Sequence, residues 1–313
     1  MKTILLSQKI HASAMEMLEG EFNILIPSEQ GQQAFDALVP KAEGIILRTN
    51  VVVTGEAIKR AKDLKIICRT GVGVDNIDLD AAREAGVMVC NAPQANSVSV
   101  AEHAVAMALA LAKYLPRYDN AVREGNWLIR SKGDPAELFE KTAGIIGLGN
   151  VGRRVAEILH NGFAMNIIGY DPNISQNDFP QYTLTSDIKD IFRKADVISV
   201  HCPSVPATKG IINSENLKLC KRGAIFINCA RGDVMVENDV VRALEDGALS
   251  AAGLDVFNEE PLRADSPLIS MDNVILTPHS AALTKEATIR MATTAARQAL
   301  LFFHGETPEF IVK

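Results

Sequence analysis

The sequence predicts an α/β protein with two doubly wound parallel-sheet domains, and three observations carry that expectation. Short β-branched runs alternate with helical patterns from end to end. The alternation starts afresh beyond a long Ala-rich helix, and 313 residues are enough for two domains of ordinary size. Parallel strands need a long crossover, so strands separated by helices imply βαβ units rather than hairpins.

In the first series the strand candidates are residues 3–6, 22–26, 44–47, 65–68 and 87–90, with amphipathic stretches such as 13–18 and 55–61 between them. A long helix follows over 100–114, which Ser97 or Ser99 can cap and Glu102 favours near its positive end. Pro116 ends or closely follows that helix, and residues 125–135, including the single tryptophan Trp127, read as polar and irregular. The second series begins at Thr142, with strand candidates 143–146, 166–170, 197–201, 224–228, 252–255 and 274–277 and a last helix over 284–303. No fixed-period repeat or low-complexity segment interrupts this order.

Composition narrows the function. Hydrophobic residues at 47% and charged residues at 22% suit a globular chain with a sizeable core, and a net charge of -6 without any Lys/Arg cluster points away from nucleic acid. The longest apolar stretch, 98–115, contains Glu102, His103 and Lys113, so no membrane span is expected. The first seven residues run straight into a strand pattern and lack the parts of a signal peptide, which makes the cytoplasm the expected location. The five cysteines form no CxxC pair, disulfide framework or metal-ligand spacing, and are expected to be mainly buried thiols; no metal is expected.

Gly147, Gly149 and Gly152 stand in GxGxxG register between a strand and the start of a helix. Gly147 allows the tight turn, Gly149 lets backbone approach a pyrophosphate, and Gly152 lets helix and strand pack closely, with the helix N-terminus facing the phosphate charge. The next strand ends in Asp171, about 20 residues beyond Gly152. An Asp here accepts from both ribose hydroxyls and repels a 2′-phosphate, and no Arg follows it, so NAD is expected over NADP.

Three polar residues follow later strand candidates: Arg231 in the run 228–232, Glu260 before Pro261, and His279 after Pro278. In a doubly wound sheet the carboxyl ends of strands line one crevice, where residues distant in sequence can converge. Oxidising an alcohol needs a base for the hydroxyl proton, and a His serves in both directions. A carboxylate beside it fixes the tautomer, and an Arg can grip a substrate carboxylate with a bidentate fork while polarising the adjacent carbonyl. On spacing alone each has an ordinary alternative: a surface turn Arg, a packing His, one of two solvated acids at 259–260.

These residues resemble the D-isomer-specific 2-hydroxyacid dehydrogenase family, especially its D-3-phosphoglycerate dehydrogenase-like branch. The matching stretches are 69–76, 96–103, 147–152, 201–203 with Thr208, 228–232, 254–261 and 277–279, in family order over nearly the whole chain. The resemblance implies catalytic roles for Arg231, Glu260 and His279, the Glu being the one directly before Pro. The formate dehydrogenase branch has Gln there, so Glu260 points to a hydroxy acid. Further cofactor contacts fall on Asn150 and Val151 at the phosphates, on His201, Cys202, Pro203 and Thr208 around the adenine side, and on Cys229, Ala230 and Asp255 near the nicotinamide. Substrate contacts fall on Arg48, Asn96 and the turn Gly71, Val72 and Gly73, expected to form an anion nest, besides Arg231 and His279. Glu102 and His103 are expected to pack or support a dimer.

The resemblance also implies a Rossmann NAD-binding domain over 99–281, inserted in a flavodoxin-like substrate-binding domain of 1–98 and 282–313, and a homodimer. The expected reaction moves a hydride between NAD and C2 of a small D-2-hydroxy or 2-keto acid. 3-Phosphoglycerate leads as substrate, ahead of glyoxylate, hydroxypyruvate or D-lactate, with a non-catalytic NAD-sensing scaffold as the remote alternative. Two departures bear on this. Ser280, Ala281 and Ala282 follow His279 where many members soon have a Gly, and no C-terminal serine-sensing domain is seen before Lys313, so feedback by that route is not expected.

Overall fold

Runs of consecutive buried and mainly apolar residues, as in 44–47 and 197–200, require a strand covered on both faces, and the computed structural model supplies that cover. It describes residues Met1–Val312 and divides the chain into two compact units, Met1–Asn96 with the segment from Leu283 on, and Ser97–Ala282.

The first unit carries β1 (Lys2–Leu6), β2 (Phe22–Leu25), β3 (Gly44–Leu47), β4 (Ile66–Arg69) and β5 (Met88–Cys90). They pair in parallel in the order β2-β1-β3-β4-β5, the flavodoxin-like order, whose winding reverses between β1 and β3. One face is covered by the helix Lys285–Phe303, where Ala292, Ala295, Ala296 and Ala299 pack on Ile4, Leu6, Ile46 and Ile66. Thr284 caps that helix through the Ala287 N–H at 3.2 Å. Phe35, Ala57, Ile58 and Ala82 cover the other face.

The second unit carries β6 (Thr142–Ile146), β7 (Asn166–Tyr170), β8 (Thr183–Leu184), β9 (Val197–Val200), β10 (Ala224–Asn228), β11 (Leu249–Leu254) and β12 (Val274–Leu276). The order β12-β11-β10-β9-β6-β7-β8, parallel throughout, is the Rossmann order with an added strand, and its reversal lies between β6 and β9. The helix Ser97–Ala112 buries Ala101, Ala104, Met107 and Ala108 against one face. Phe192, Val240 and Leu244 belong to the core on the other.

Four details differ from expectation. The long helix begins at Ser97 itself, so Ser99 lies inside it, and the Ser97 hydroxyl, instead of capping, is buried without a hydrogen-bond partner among the described residues. It stops at Ala112, Tyr114 takes a left-handed φ of 55°, and a second helix, Leu115–Arg123, carries Pro116 in its first turn, where a missing N–H is harmless. Part of the expected irregular stretch forms a 3-10 turn, Trp127–Ser131. The two-residue edge strand β8 was not expected. No single helix among the described residues is long and apolar enough to cross a membrane.

Candidate active site

The glycine turn follows β6 at the reversal point. Gly147 has φ +90°, and a Cβ there would lie 2.7 Å from the Cys202 backbone nitrogen. A Cβ on Gly152 would overlap the Gly147 carbonyl, so both positions exclude a side chain. At Gly149, by contrast, a Cβ would meet open space. Gly149 is also the N-cap of the helix Asn150–Phe163 and makes no side-chain cap, so a phosphate can approach the positive end of the helix. Asp171 is aimed at this turn: Oδ2 accepts the Leu148 N–H and Oδ1 the Asn173 N–H, both at 2.9 Å. Open space at Gly149, an uncapped helix N-terminus and a fixed carboxylate after β7 together fit a dinucleotide.

Cofactor-side neighbours come from the loops after β9 and β10. His201 bonds Ser199 Oγ through Nε2 at 2.8 Å, while its Nδ1 is buried without a hydrogen-bond partner among the described residues; burial pulls its pKa down to about 3, so the ring is neutral. Thr208 donates to Pro203 O at 2.6 Å and accepts the Val205 N–H at 2.9 Å, fixing the loop that presents Cys202 and Pro203. Burial pushes the Cys202 thiol up to about 11, and burial followed by the Asp255 charge raises Cys229, so neither is a reactive thiolate. Asn150 and Val151 stand in the first turn of the helix behind Gly149.

The three candidate catalytic residues lie beyond β10, β11 and β12. His279 Nδ1 and Glu260 Oε2 are 2.7 Å apart, each residue about one-third exposed at its side chain. Partial burial works against ionisation of Glu260, but the hydrogen bond and charge of His279, the Phe257 N–H at 3.1 Å and the charge of Arg231 bring its pKa below the ordinary value. An ionised carboxylate only accepts, so the proton of a neutral His279 sits on Nδ1 and Nε2 is left for a substrate. Arg231 donates from Nη1 to the Ala230 carbonyl at 2.7 Å. Its loop is shaped by Asn228, fully buried, which accepts the Ala230 N–H at 3.0 Å and donates to the Arg231 carbonyl at 2.9 Å. Gly232 is required because a Cβ there would overlap the Phe257 backbone, and so the Arg231 loop lies directly against the loop that carries Glu260.

Asp255 is where the structure adds most to the sequence reading. It is 1% exposed; Oδ1 accepts from Thr277 Oγ1 at 2.5 Å and from Ser280 N–H at 2.8 Å, and Oδ2 from Ala281 N–H at 2.9 Å. The His279 N–H meanwhile donates to the Asp255 carbonyl at 2.8 Å. His103, from the long helix and expected to pack or support a dimer, bonds Thr277 Oγ1 at 3.0 Å. This network holds His279 in a left-handed conformation, φ 51°, that a non-glycine residue adopts at some cost. Asp255 is thus an anchor for the His279 loop. Asp255→Ala orphans two backbone donors and a hydroxyl, and is expected to lower the thermal unfolding midpoint by about 5–10 °C. A differential scanning trace within 1 °C of wild type would remove the anchor role.

In the first unit, Arg48 is half-buried beyond β3, and its backbone N–H donates to Ser7 Oγ at 2.9 Å. Gly71, Val72 and Gly73 follow β4; neither glycine takes a left-handed φ, so the alternating conformation of a true nest is not formed. The segment is held instead through its carbonyls, Gly71 O by Ala92 N–H at 3.0 Å and Val72 O by Asn91 Nδ2 at 2.8 Å. Asn96 Oδ1 is buried and has no hydrogen-bond partner among the described residues.

Comparison with known proteins shows the family. Residues 105–281 match the NAD-binding domain of the D-isomer specific 2-hydroxyacid dehydrogenases. The chain is 39% identical over 314 residues to a D-3-phosphoglycerate dehydrogenase of Methanocaldococcus jannaschii, covering 100% of this chain and 59% of that protein. A second of that name, from Archaeoglobus fulgidus, is 39% identical over 94% of this chain and 56% of its own length. The chain therefore spans somewhat over half the length of these relatives. Among solved structures, a D-lactate dehydrogenase from Aquifex aeolicus, complexed with NAD and lactic acid, superposes with a TM-score of 0.86 at 30% identity, covering 97% of this chain and 96% of that one.

Proposed function

Since the chain belongs to the D-isomer specific 2-hydroxyacid dehydrogenase family, we propose that it is an NAD-dependent dehydrogenase acting at C2 of a small D-2-hydroxy or 2-keto acid, with 3-phosphoglycerate and its keto acid as the leading pair. The observation that carries this reading is the His279–Glu260 pair at 2.7 Å with the charge of Arg231 acting on it.

Bound NADH would supply the hydride. His279 delivers a proton from Nε2 to the carbonyl oxygen at C2 and withdraws it in the reverse direction. Glu260 keeps the imidazole in the productive tautomer and stabilises its charged form. Arg231 holds the substrate carboxylate and polarises the carbonyl, worth two to three orders of magnitude in rate by analogy with other oxyanion donors. Gly147, Gly149, Asn150, Val151 and Gly152 would hold the pyrophosphate, Asp171 the ribose, and the loops at 201–208 and 229–230 the rest of the cofactor. Arg48, Asn96 and the N–H groups of 71–73 belong to the same proposal as ligands for the anionic groups of the acid.

The choice of NAD rests on Asp171. Asp171→Ala is expected to lower the preference for NADH over NADPH in kcat/KM about 10- to 100-fold, the loss of charge-assisted hydrogen bonds to a ribose hydroxyl. An unchanged ratio would contradict the ribose assignment. The substrate is tested by assaying 2-keto acids with NADH: phosphohydroxypyruvate is expected to give the highest kcat/KM, and equal or better turnover of glyoxylate or pyruvate would favour a reductase of unphosphorylated acids.

Homodimer formation is part of the proposal, supported by Leu115, Val122, Trp127, Leu128 and Phe139, large apolar side chains left exposed close together in sequence. A cytoplasmic setting is also part of the proposal.

A further inference from the structure

Within the second unit, the long helix and the His279 loop meet at one side chain. Gly253, on β11, lets the helix Ser97–Ala112 come in close: a Cβ there would lie 3.0 Å from the Met107 Cβ. His103 stands one turn before Met107 on the same helix face. It therefore reaches the carboxyl ends of β11 and β12, where its Nε2 is 3.0 Å from Thr277 Oγ1 and 3.8 Å from Asp255 Oδ1.

The hydrogen bonds here run in one direction. Both Asp255 oxygens face backbone donors, the Ser280 and Ala281 N–H groups, so this carboxyl group accepts and the Thr277 hydroxyl gives it its single proton. Oγ1 then offers His103 only lone pairs, which puts the donating imidazole proton on Nε2. Thr277 in turn opens the turn that carries the His279 imidazole. The Thr277 carbonyl shares the His279 N–H with the Asp255 carbonyl, at 3.0 and 2.8 Å. The left-handed turn is thus pinned on the Thr277 side by the helix and on the 280–281 side by the carboxylate. Glu260 holds the ring, but these backbone bonds set the point from which it hangs, and a shift of about 1 Å at reacting atoms can cost about 10²-fold in rate.

We propose that His103 is a positioning residue: donating through Nε2, it locks the Thr277–Asp255 pair and so places the His279 imidazole for proton transfer. The other role open to such a ring is a counter-charge for Asp255. The distances favour the donor role, because the hydroxyl lies within hydrogen-bond reach and the carboxylate does not. The kinetic consequence rests on the dehydrogenase reading above; the lock on the turn does not.

The test pairs His103→Leu, which has no donor, with His103→Gln, whose amide N–H reaches about as far as Nε2 and carries no charge. Two readouts come from the full chain: amide hydrogen exchange of a peptide spanning 277–282, and kcat for a 2-keto acid beside NADH affinity. His103→Leu is expected to speed exchange and lower kcat, each about tenfold, with NADH affinity unchanged. His103→Gln is expected to bring both back to within about threefold of wild type, a rescue that neither a counter-charge nor a general packing role would allow. In a Thr277→Val background, which lacks the acceptor, adding His103→Leu is expected to change little. Unchanged exchange in His103→Leu, unchanged kcat in an active chain, or a Gln variant no better than Leu overturns the proposal. Turnover separates the two readings. Exchange that follows the donor in a chain reducing no 2-keto acid with NADH keeps the lock and loses the dehydrogenase. Wild-type turnover with exchange unmoved in His103→Leu does the reverse.

Discussion

His279→Ala is expected to reduce kcat about 10³-fold while NAD affinity stays close to that of wild type. The magnitude is that of removing a positioned proton donor from a step whose transition state develops charge on oxygen. The selectivity follows from the architecture. The glycine turn, Asp171 and the helix Asn150–Phe163 owe nothing to the imidazole, whereas Nε2 is the ring atom left over once Glu260 has taken Nδ1. The Asp255 anchor acts on the backbone and on the residues following His279, so the loop keeps its shape when the ring is removed. Steady-state kinetics with a 2-keto acid, beside fluorescence titration of NADH, checks both halves. Turnover within tenfold of wild type would take His279 out of the chemistry.

Arg231→Lys is expected to lower kcat/KM about 10²- to 10³-fold although the charge is kept. The guanidinium already spends one Nη1 donor on the Ala230 carbonyl, a bond that orients its plane. A lysine ammonium is a single point of charge on a flexible stem; it cannot hold that anchor and also meet both oxygens of a carboxylate. Its loop is set independently by Asn228 and by the contact of Gly232 with the Phe257 backbone, so the variant should fold. Comparing kcat/KM with thermal unfolding in the same preparations checks this. Full activity in the lysine variant would show that charge alone suffices.

Much of this was legible in the sequence because it follows from local geometry. Strands buried on both faces announce themselves as apolar runs, and their observed ends fall within one to three residues of the pattern; β11, which begins at Leu249 rather than 252, is the largest miss. The GxGxxG turn and Asp171 are legible for a similar reason, since one backbone shape demands glycine at fixed spacing. The helix Leu115–Arg123 was missed because Pro116 was read as a stop, although proline in a first turn is equally a start. The edge strand β8 has two residues, one exposed and one half-buried, too few to show any period.

What sequence could not show was which polar groups use up one another. Asp255 and Gln8 differ in no sequence-level respect from a solvated strand-end residue, yet one has both oxygens engaged around the His279 loop and the other embraces Arg48 across a gap of forty positions. Asn228 was seen only as part of a motif, though it holds the Arg231 loop from both sides. Such pairings are long-range and depend on register. The converse failing is Gly71–Gly73, where two glycines suggested a left-handed nest that the backbone does not adopt.

The central claim is that a carbonyl carbon next to a carboxylate accepts hydride while His279 protonates its oxygen. The most direct measurement is reduction of phosphohydroxypyruvate or another accepted 2-keto acid with NADH deuterated at the transferable position, followed by mass and chiral analysis of the product. The account predicts one deuterium at C2 of a D-configured 2-hydroxy acid. Product lacking deuterium at C2, or of the L configuration, would contradict it.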